Sequence, residues 1–385
     1  MAAKNIVILG STGSIGINVL KVIARYPERF KVLALSCYNS FPVLERQIRR
    51  FQPRLVAVTQ NLAVKLKKSG LGHGRKIFDV DSDLGEMVAD SAADVVILGM
   101  RGSAALGPFL AAVKAGKTVA PANKEALVIA GRHIMETARC CGANIIPIDS
   151  EQSAIFQCLQ GAAGQKIRKV YLTASGGPLR NTAPSRFGSL AVKDILRHPR
   201  WKMGPKITVD SATLLNKGFE VIEAMRLFDL TAKQVEIIVH PEAIIHSMVE
   251  FQDGAIMAQL GVTDMRLPIQ YALTFPERLP TGLPPVNFTG IKAFHFERPD
   301  LRKFPLLELA LDVARRDGTL PAVLNAADEV AVEAFLQEKI RLNRVCDVVE
   351  KVVGAHRSKK DPSLRDIIAA DQWAREETRI QLGRL

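Results

Sequence analysis

The sequence predicts an α/β protein: a doubly wound parallel sheet at the amino end, an α+β domain in the middle and a helical bundle at the carboxyl end. Three observations carry this. The apolar run Lys4–Leu9 feeds Gly10-Ser11-Thr12-Gly13-Ser14-Ile15-Gly16 and then a helical pattern over Ile17–Tyr26. Strand-like runs then alternate with amphipathic stretches through the first 150 residues. From about Asp300 the periodicity is helical only.

Each element follows in order. Lys4–Leu9 suits a buried parallel strand, and the glycines after it let the backbone turn sharply and approach a ligand. The next helix would present its free N–H groups to phosphate. A glycine turn alone is weak; strand before and helix after make it a dinucleotide-type fingerprint of Rossmann character. Lys31–Ser36, Leu55–Thr59, Ala93–Leu98, Lys117–Ala122 and Asn144–Ile148 read as further strands, with helices over Ala104–Ala115 and Glu125–Cys140. Ligands gather at the carboxyl ends of such strands, where Gly13, Gly99, Asn123, Lys124 and Asp149 fall. After the second strand the chain reads Ser36-Cys37-Tyr38-Asn39-Ser40, with no carboxylate for a ribose 2′-hydroxyl, which favours NADP over NAD.

Two acidic segments then stand out. Asp149-Ser150-Glu151 ends an apolar run, and 210–220 reads Asp-Ser-Ala-Thr-Leu-Leu-Asn-Lys-Gly-Phe-Glu. Asp149, Glu151 and Glu220, with no cysteine–histidine cluster, favour Mg²⁺ or Mn²⁺ over structural zinc. Any one of them alone would read as a helix cap or an ion-pair partner. Glu223 reads as a solvent-facing helix residue rather than a fourth ligand. Lys124 could steady negative charge developing on an oxygen. Asn123 and Glu125 could touch a nicotinamide, or Glu125 could open the helix that follows. Ser175-Gly176-Gly177-Pro178 offers a hydroxyl and a freely turning backbone to phosphate, although Gly-Gly-Pro is also ordinary turn chemistry. Trp201 lies in the loop His198–Gly204 and, from its own residues, reads as packing on its domain. His240 and His246 read first as hydrogen-bonded core histidines, and Cys158 as core rather than nucleophile.

Bulk properties narrow the field. With 385 residues, 48% hydrophobic and 24% charged, the chain is expected to fold as two or three soluble domains. No run of about 18 apolar residues suggests a membrane span. A strand so close to the amino end leaves no room for a signal peptide. Five cysteines without paired spacing suit reduced thiols, so a cytoplasmic protein is expected. The net charge of +13 is scattered and lacks a nucleic-acid module; it fits solvated faces and attraction for anionic metabolites.

Taken together, the motifs resemble the 1-deoxy-D-xylulose 5-phosphate reductoisomerase family. The resemblance runs through nearly the whole chain: Gly-Ser-Thr-Gly-Ser-Ile-Gly from Gly10, Ala-Asn-Lys-Glu ending at Glu125, Asp149-Ser150-Glu151, Ser175-Gly176-Gly177-Pro178, His198-Pro199, Asp210 through Glu220, the segments around His240 and His246, and Asn-Ala-Ala from Asn325. It implies a metal-dependent retro-aldol/aldol isomerisation of 1-deoxy-D-xylulose 5-phosphate, then reduction by NADPH to 2-C-methyl-D-erythritol 4-phosphate in isoprenoid synthesis. It implies that Asp149, Glu151 and Glu220 hold one divalent cation (Mn²⁺, Mg²⁺ or Co²⁺), and that Ser150 and Lys124 meet substrate hydroxyls. By the same resemblance Ser175, Ser211, Asn216, Lys217 and His198 take the phosphate. Thr12, Gly13, Ser14, Ile15, Asn39, Asn123, Glu125 and Gly204 would serve the cofactor. Trp201 and Met203 would belong to a closing lid, the reverse of the packing reading, and the protein would be a homodimer. One departure concerns Cys37-Tyr38-Asn39, where many relatives carry Gly-Lys-Asn. The missing lysine removes a cation near the adenosine ribose, so strict discrimination for NADPH does not follow from the resemblance.

The expected divisions are a cofactor domain over 1–149, a metal, substrate and dimerisation domain over 150–277, a Pro/Gly-marked linker over 278–300, and a helical domain over 301–385. Two rival readings compete with this one. A semialdehyde-type NADP-dependent dehydrogenase would need a cysteine nucleophile with a base, which Cys158 lacks in sequence. A basic nucleic-acid binder would rest on charge alone.

Overall fold

A computed structural model describes residues 3–162, 164–197, 200–201 and 203–384. In chain order the first elements are β1 (Lys4–Leu9), α1 (Ser14–Arg25), β2 (Phe30–Cys37), α2 (Phe41–Phe51), β3 (Leu55–Val58), α3 (Gln60–Lys68), β4 (Lys76–Asp79) and α4 (Leu84–Val88). Next come β5 (Val95–Leu98), α5 (Leu106–Lys114), β6 (Thr118–Pro121), α6 (Glu125–Cys141), β7 (Asn144–Ile145) and α7 (Ser150–Leu159). These strands form one sheet in the order β4-β3-β2-β1-β5-β6-β7, every pair parallel. The order reverses between β1 and β5, the position at which doubly wound sheets open a crevice for ligands. Central strands buried on both faces account for the unbroken apolar run Ile6–Leu9, which is wholly inaccessible.

Differences from the sequence expectation have local causes. β7 stops at Ile145 instead of reaching Ile148. The backbone stays extended, because Ile146 N and Ile148 N still donate to Val119 O and Pro121 O at 2.9 and 3.0 Å. Pro147 between them has no N–H to give. The four-residue β4 is too short to carry a periodic signal in the sequence.

The remaining elements are β8 (Ile167–Ala174), α8 (Val192–Ile195), α9 (Pro205–Ala212), α10 (Leu215–Leu227), β9 (Val235–Val239), β10 (Ile245–Phe251), β11 (Ile256–Leu260), α11 (Arg266–Thr274), α12 (Pro305–Arg316), α13 (Leu320–Leu336), α14 (Leu342–Ala355) and α15 (Leu364–Gly383). A second sheet runs β11-β10-β8-β9, with β8 and β9 parallel and the other pairs antiparallel. β11 was not expected from the sequence.

The chain divides into two compact units. One comprises Met1–Ala126, Arg132–Ser153 and Asp264–Leu283; the other comprises Leu127–Gly131, Ala154–Thr263 and Pro284–Leu385. The extent of the second unit has a physical basis. Val170, Leu172 and Val249 of the second sheet share one apolar core with Phe219, Leu307, Val323, Val349 and Ala374 of the helices, so the carboxy-terminal helices complete that unit's core. Among the described residues no helix is long and apolar enough to cross a membrane.

Candidate active site

The glycine turn is built by close approach. Gly10 has φ +78°, and a Cβ there would lie 2.8 Å from the Gly99 carbonyl, so the loops after β1 and β5 touch backbone to backbone. A Cβ on Gly16 would sit 2.4 Å from Ser11 Cα, so only glycine lets α1 begin this near the turn. The turn is pinned from behind: Ser36 Oγ accepts from Gly10 N at 2.8 Å, and Ser11 Oγ donates to Gln47 Oε1 at 2.8 Å. α1 opens at Ser14 after an extended Gly13, so the amide end of the helix lies at Thr12, Gly13, Ser14 and Ile15. Beyond β2, Tyr38 is 61% exposed, and Asn39, also exposed, receives Phe41 N on its carbonyl.

Asn123 is buried and holds the loop after β5. Its amide donates to Met100 O and Gly102 O, both at 3.1 Å, and its Oδ1 accepts from Ala126 N. The segment Met100–Gly102 is thus tied down through the carbonyls at its two ends. Glu125 stands in the first turn of α6, where a carboxylate offsets the helix dipole.

In the same unit, Lys124 Nζ lies 2.5 Å from Asp149 Oδ2, with side chains only 5% and 9% exposed. Asp149 immediately precedes α7, and its carbonyl accepts from Ser153 N at 2.8 Å. Glu151 falls in the first turn of α7, and Ser150 Oγ donates to Glu151 Oε2 at 2.6 Å. The acidic pair therefore occupies a helix start rather than a continued strand. Burying such charges costs free energy even when they are paired, and such sites are commonly functional.

The other unit carries the second acidic segment. α9 and α10 meet at Leu214, whose φ of +58° makes a sharp corner. On α10, Asn216 Nδ2 donates to Glu220 Oε1 at 2.6 Å, and Lys217 Nζ is paired with Glu220 Oε2. Glu220 is 1% exposed. The i,i+4 and i,i+3 spacings put all three on one helix face. Ser211, in the last turn of α9, lies beside the loop after β8: a Cβ on Gly177 would come within 2.2 Å of Ser211 O. Ser175 Oγ accepts from Gly177 N at 3.3 Å. The geometry therefore gathers Ser175 and Ser211 at one place and Asn216, Lys217 and Glu220 on the adjoining helix.

Glu223 corrects the sequence reading: it is fully buried, not solvent-facing. His240 is a core residue. Its Nδ1 lies 3.1 Å from His295 O and 3.0 Å from Glu242 Oε2, Nε2 accepts from Ile244 N, and the ring stacks on Phe296 at 5.1 Å. His246 is 5% exposed, and burial pushes its pKa down to about 4. The Trp201 ring lies 6.2 Å from the His246 ring. Met203 is half-buried, and Gly204 caps α9 through its carbonyl, which accepts from Thr208 N. His198 lies outside the described residues. Cys158 is buried in the core.

Sequence reasoning missed one group. Lys206 Nζ sits 2.7 Å from Asp210 Oδ2 and 2.6 Å from Asp328 Oδ2. The i,i+4 spacing of Lys206 and Asp210 was a usable signal; nothing in sequence links Asp328 to them.

The comparisons with known proteins agree along the chain. Family profiles described as 1-deoxy-D-xylulose 5-phosphate reductoisomerase, its C-terminal domain, and DXP reductoisomerase C-terminal domain match residues 6–131, 145–228 and 260–377. The chain is 46% identical over 387 residues to 1-deoxy-D-xylulose 5-phosphate reductoisomerase of Geobacter metallireducens, covering 99% of each. It is 47% identical to 1-deoxy-D-xylulose 5-phosphate reductoisomerase 1 of Bacillus cereus, covering 97% of each. A crystal structure of DOX-P reductoisomerase in complex with NADPH, fosmidomycin and magnesium superposes with a TM-score of 0.92 at 36% identity, covering 99% of this chain and 98% of that one. The Zymomonas mobilis enzyme in complex with NADPH gives 0.90 at 37% identity over the whole of both chains.

Proposed function

Since the chain belongs to the 1-deoxy-D-xylulose 5-phosphate reductoisomerase family, we propose that it isomerises 1-deoxy-D-xylulose 5-phosphate and reduces the product to 2-C-methyl-D-erythritol 4-phosphate. NADPH and a divalent cation are its cofactors, as in the related structures bound to NADPH and magnesium. The observation that carries this reading is the pairing of deeply buried carboxylates with lysines, Lys124 with Asp149 and Lys217 with Glu220.

Asp149, Glu151 and Glu220 each offer a carboxylate oxygen, a donor set suited to Mg²⁺, Mn²⁺ or Co²⁺. When bound, the divalent cation supplies positive charge to neighbouring substrate oxygens, and NADPH supplies the hydride. Lys124 stabilises negative charge as it develops on a substrate oxygen, in a buried setting where a cation counts for more than in water. Ser150 orients a substrate hydroxyl. Ser175, Ser211, Asn216 and Lys217, with His198, hold the phosphate, so that fragments parted by carbon–carbon cleavage stay in register to rejoin. The amide end of α1 at Thr12, Gly13, Ser14 and Ile15 receives the dinucleotide phosphates. Asn39, Asn123, Glu125 and Gly204 serve the cofactor, Asn123 by fixing the loop after β5. Trp201 and Met203 form a lid that excludes water.

The protein works as a homodimer in the cytoplasm. The dimer reading is supported by β11, an edge strand whose Ile256 and Met257 are 52% and 53% exposed. The compartment is supported by five free cysteines. An NADPH-oxidation assay with 1-deoxy-D-xylulose 5-phosphate, with and without added Mn²⁺, tests the whole. Oxidation that needs both sugar phosphate and metal is expected, and oxidation indifferent to the metal would sink the reading.

A further inference from the structure

We propose that Asp328 is a positioning residue for the phosphate grip, acting through Lys206 on the α9–α10 corner that carries Ser211, Asn216 and Lys217. This rests on the reading of that corner as the phosphate site. Asp328 lies on α13, in the helical part of the chain, and is 1% exposed. Lys206, in the first turn of α9, is held between Asp328 Oδ2 at 2.6 Å and Asp210 Oδ2 at 2.7 Å. The same ammonium stands 5.0 Å from the centre of the Phe219 ring, and Phe219 directly precedes Glu220 on α10. One cation therefore touches α9, α10 and α13.

The corner needs such a clamp. α9 has only eight residues, and Leu214 adopts a left-handed φ that a branched side chain takes only when its surroundings enforce it. α13 is itself anchored: Arg375 of α15 binds Glu329 at 2.6 Å and Asp371 at 2.8 Å. Asn325 Nδ2 donates to Glu329 Oε1 at 3.0 Å, one turn from Asp328. A fixed frame thus reaches the corner through Asp328 and Lys206. Asp210 and Asp328 share the Lys206 ammonium, and burial pushes the Asp328 carboxyl up. Stability alone does not explain the group, since apolar residues of equal volume serve as well as buried ion pairs. What the pair supplies is direction.

The test compares Asp328→Leu with Asp328→Asn, which keeps an oxygen for Lys206 at the same size. In Asp328→Leu the KM for 1-deoxy-D-xylulose 5-phosphate should rise about ten- to a hundredfold, because the grip is misplaced. Its kcat should stay within about threefold, and NADPH affinity measured by fluorescence within about twofold. Asp328→Asn should return KM to within about threefold of the parent. Calorimetric titration of the sugar phosphate should show the same order of affinities without turnover. An unchanged KM in folded Asp328→Leu overturns the inference, as does equal loss of sugar-phosphate and NADPH binding. If Asp328→Leu does not fold, Lys206→Met breaks the clamp from its other side, and a folded Lys206→Met with the parental KM overturns it equally. A parent protein that fails to turn over the sugar phosphate overturns the phosphate reading and this inference with it, whereas an unchanged KM strikes this inference alone.

Discussion

Glu220 shows how a single side chain is committed to its task. It is 1% exposed, and both oxygens are engaged by Asn216 and Lys217 from the same helix. Such a carboxylate is costly to bury and is rigidly aimed, which suits the metal-ligand role proposed for it. Glu220→Gln should lower kcat by about a hundred- to a thousandfold, with NADPH affinity within about twofold. Near-normal turnover in that variant would remove Glu220 from the metal site. Lys217→Ala should raise the KM for the sugar phosphate by about tenfold or more, since a charge-assisted bond to phosphate is lost; an unchanged KM would place the phosphate elsewhere. His246 has a depressed pKa, about 4 instead of 6.5. For a base depressed by burial, the unfolded chain takes up the proton first. Its stabilising contribution is therefore full above pH 6.5 and is lost as pH falls towards 4, amounting to at most about 3 kcal/mol. Replacing His246 by Phe should flatten the decline of Tm between pH 7 and 4 in apo protein; an identical decline in both proteins would count against it.

At the level of elements, the proposed phosphate region depends on a loop and a helix end that pack without side chains between them. Gly177 has φ +67°, and any Cβ there would collide with the Ser211 carbonyl. Gly177→Ala should cost about 2 kcal/mol or more of stability and weaken sugar-phosphate binding more than NADPH binding. Equal loss of both, or of neither, would show that the contact does not shape the grip. The amino-terminal turn follows the same logic, with Gly10 against Gly99 and Gly16 against Ser11. These glycines were legible in sequence because strand, turn and helix follow one another within 25 residues of chain. The loop at Met100 was not, because it is explained only by an amide from Asn123 more than twenty positions away.

For the molecule as a whole, the edge of the second sheet is the feature its fold leaves exposed. β11 shows Ile256, Met257 and Leu260 to solvent, an arrangement that soluble chains usually cover or charge. If a second copy covers it, Met257→Lys should shift the protein from dimer towards monomer in sedimentation velocity. A dimer as tight as the parent's would rule this edge out as the contact. The carboxy-terminal helices share one core with the second sheet, so that unit is expected to unfold as one cooperative body.

The doubly wound sheet, its glycine turn, the acidic segments and the family are all legible in the order of residues. Those depend on periodicity and on residue types set close together along the chain. The same order also marks His240 correctly as a hydrogen-bonded core residue, since its neighbours are apolar strands. The burial of Glu223 and the ammonium that Asp328 shares with Asp210 were decided by the fold alone. In each case the deciding partner is remote in sequence or is the surrounding core, and neither leaves a local trace in the order of residues.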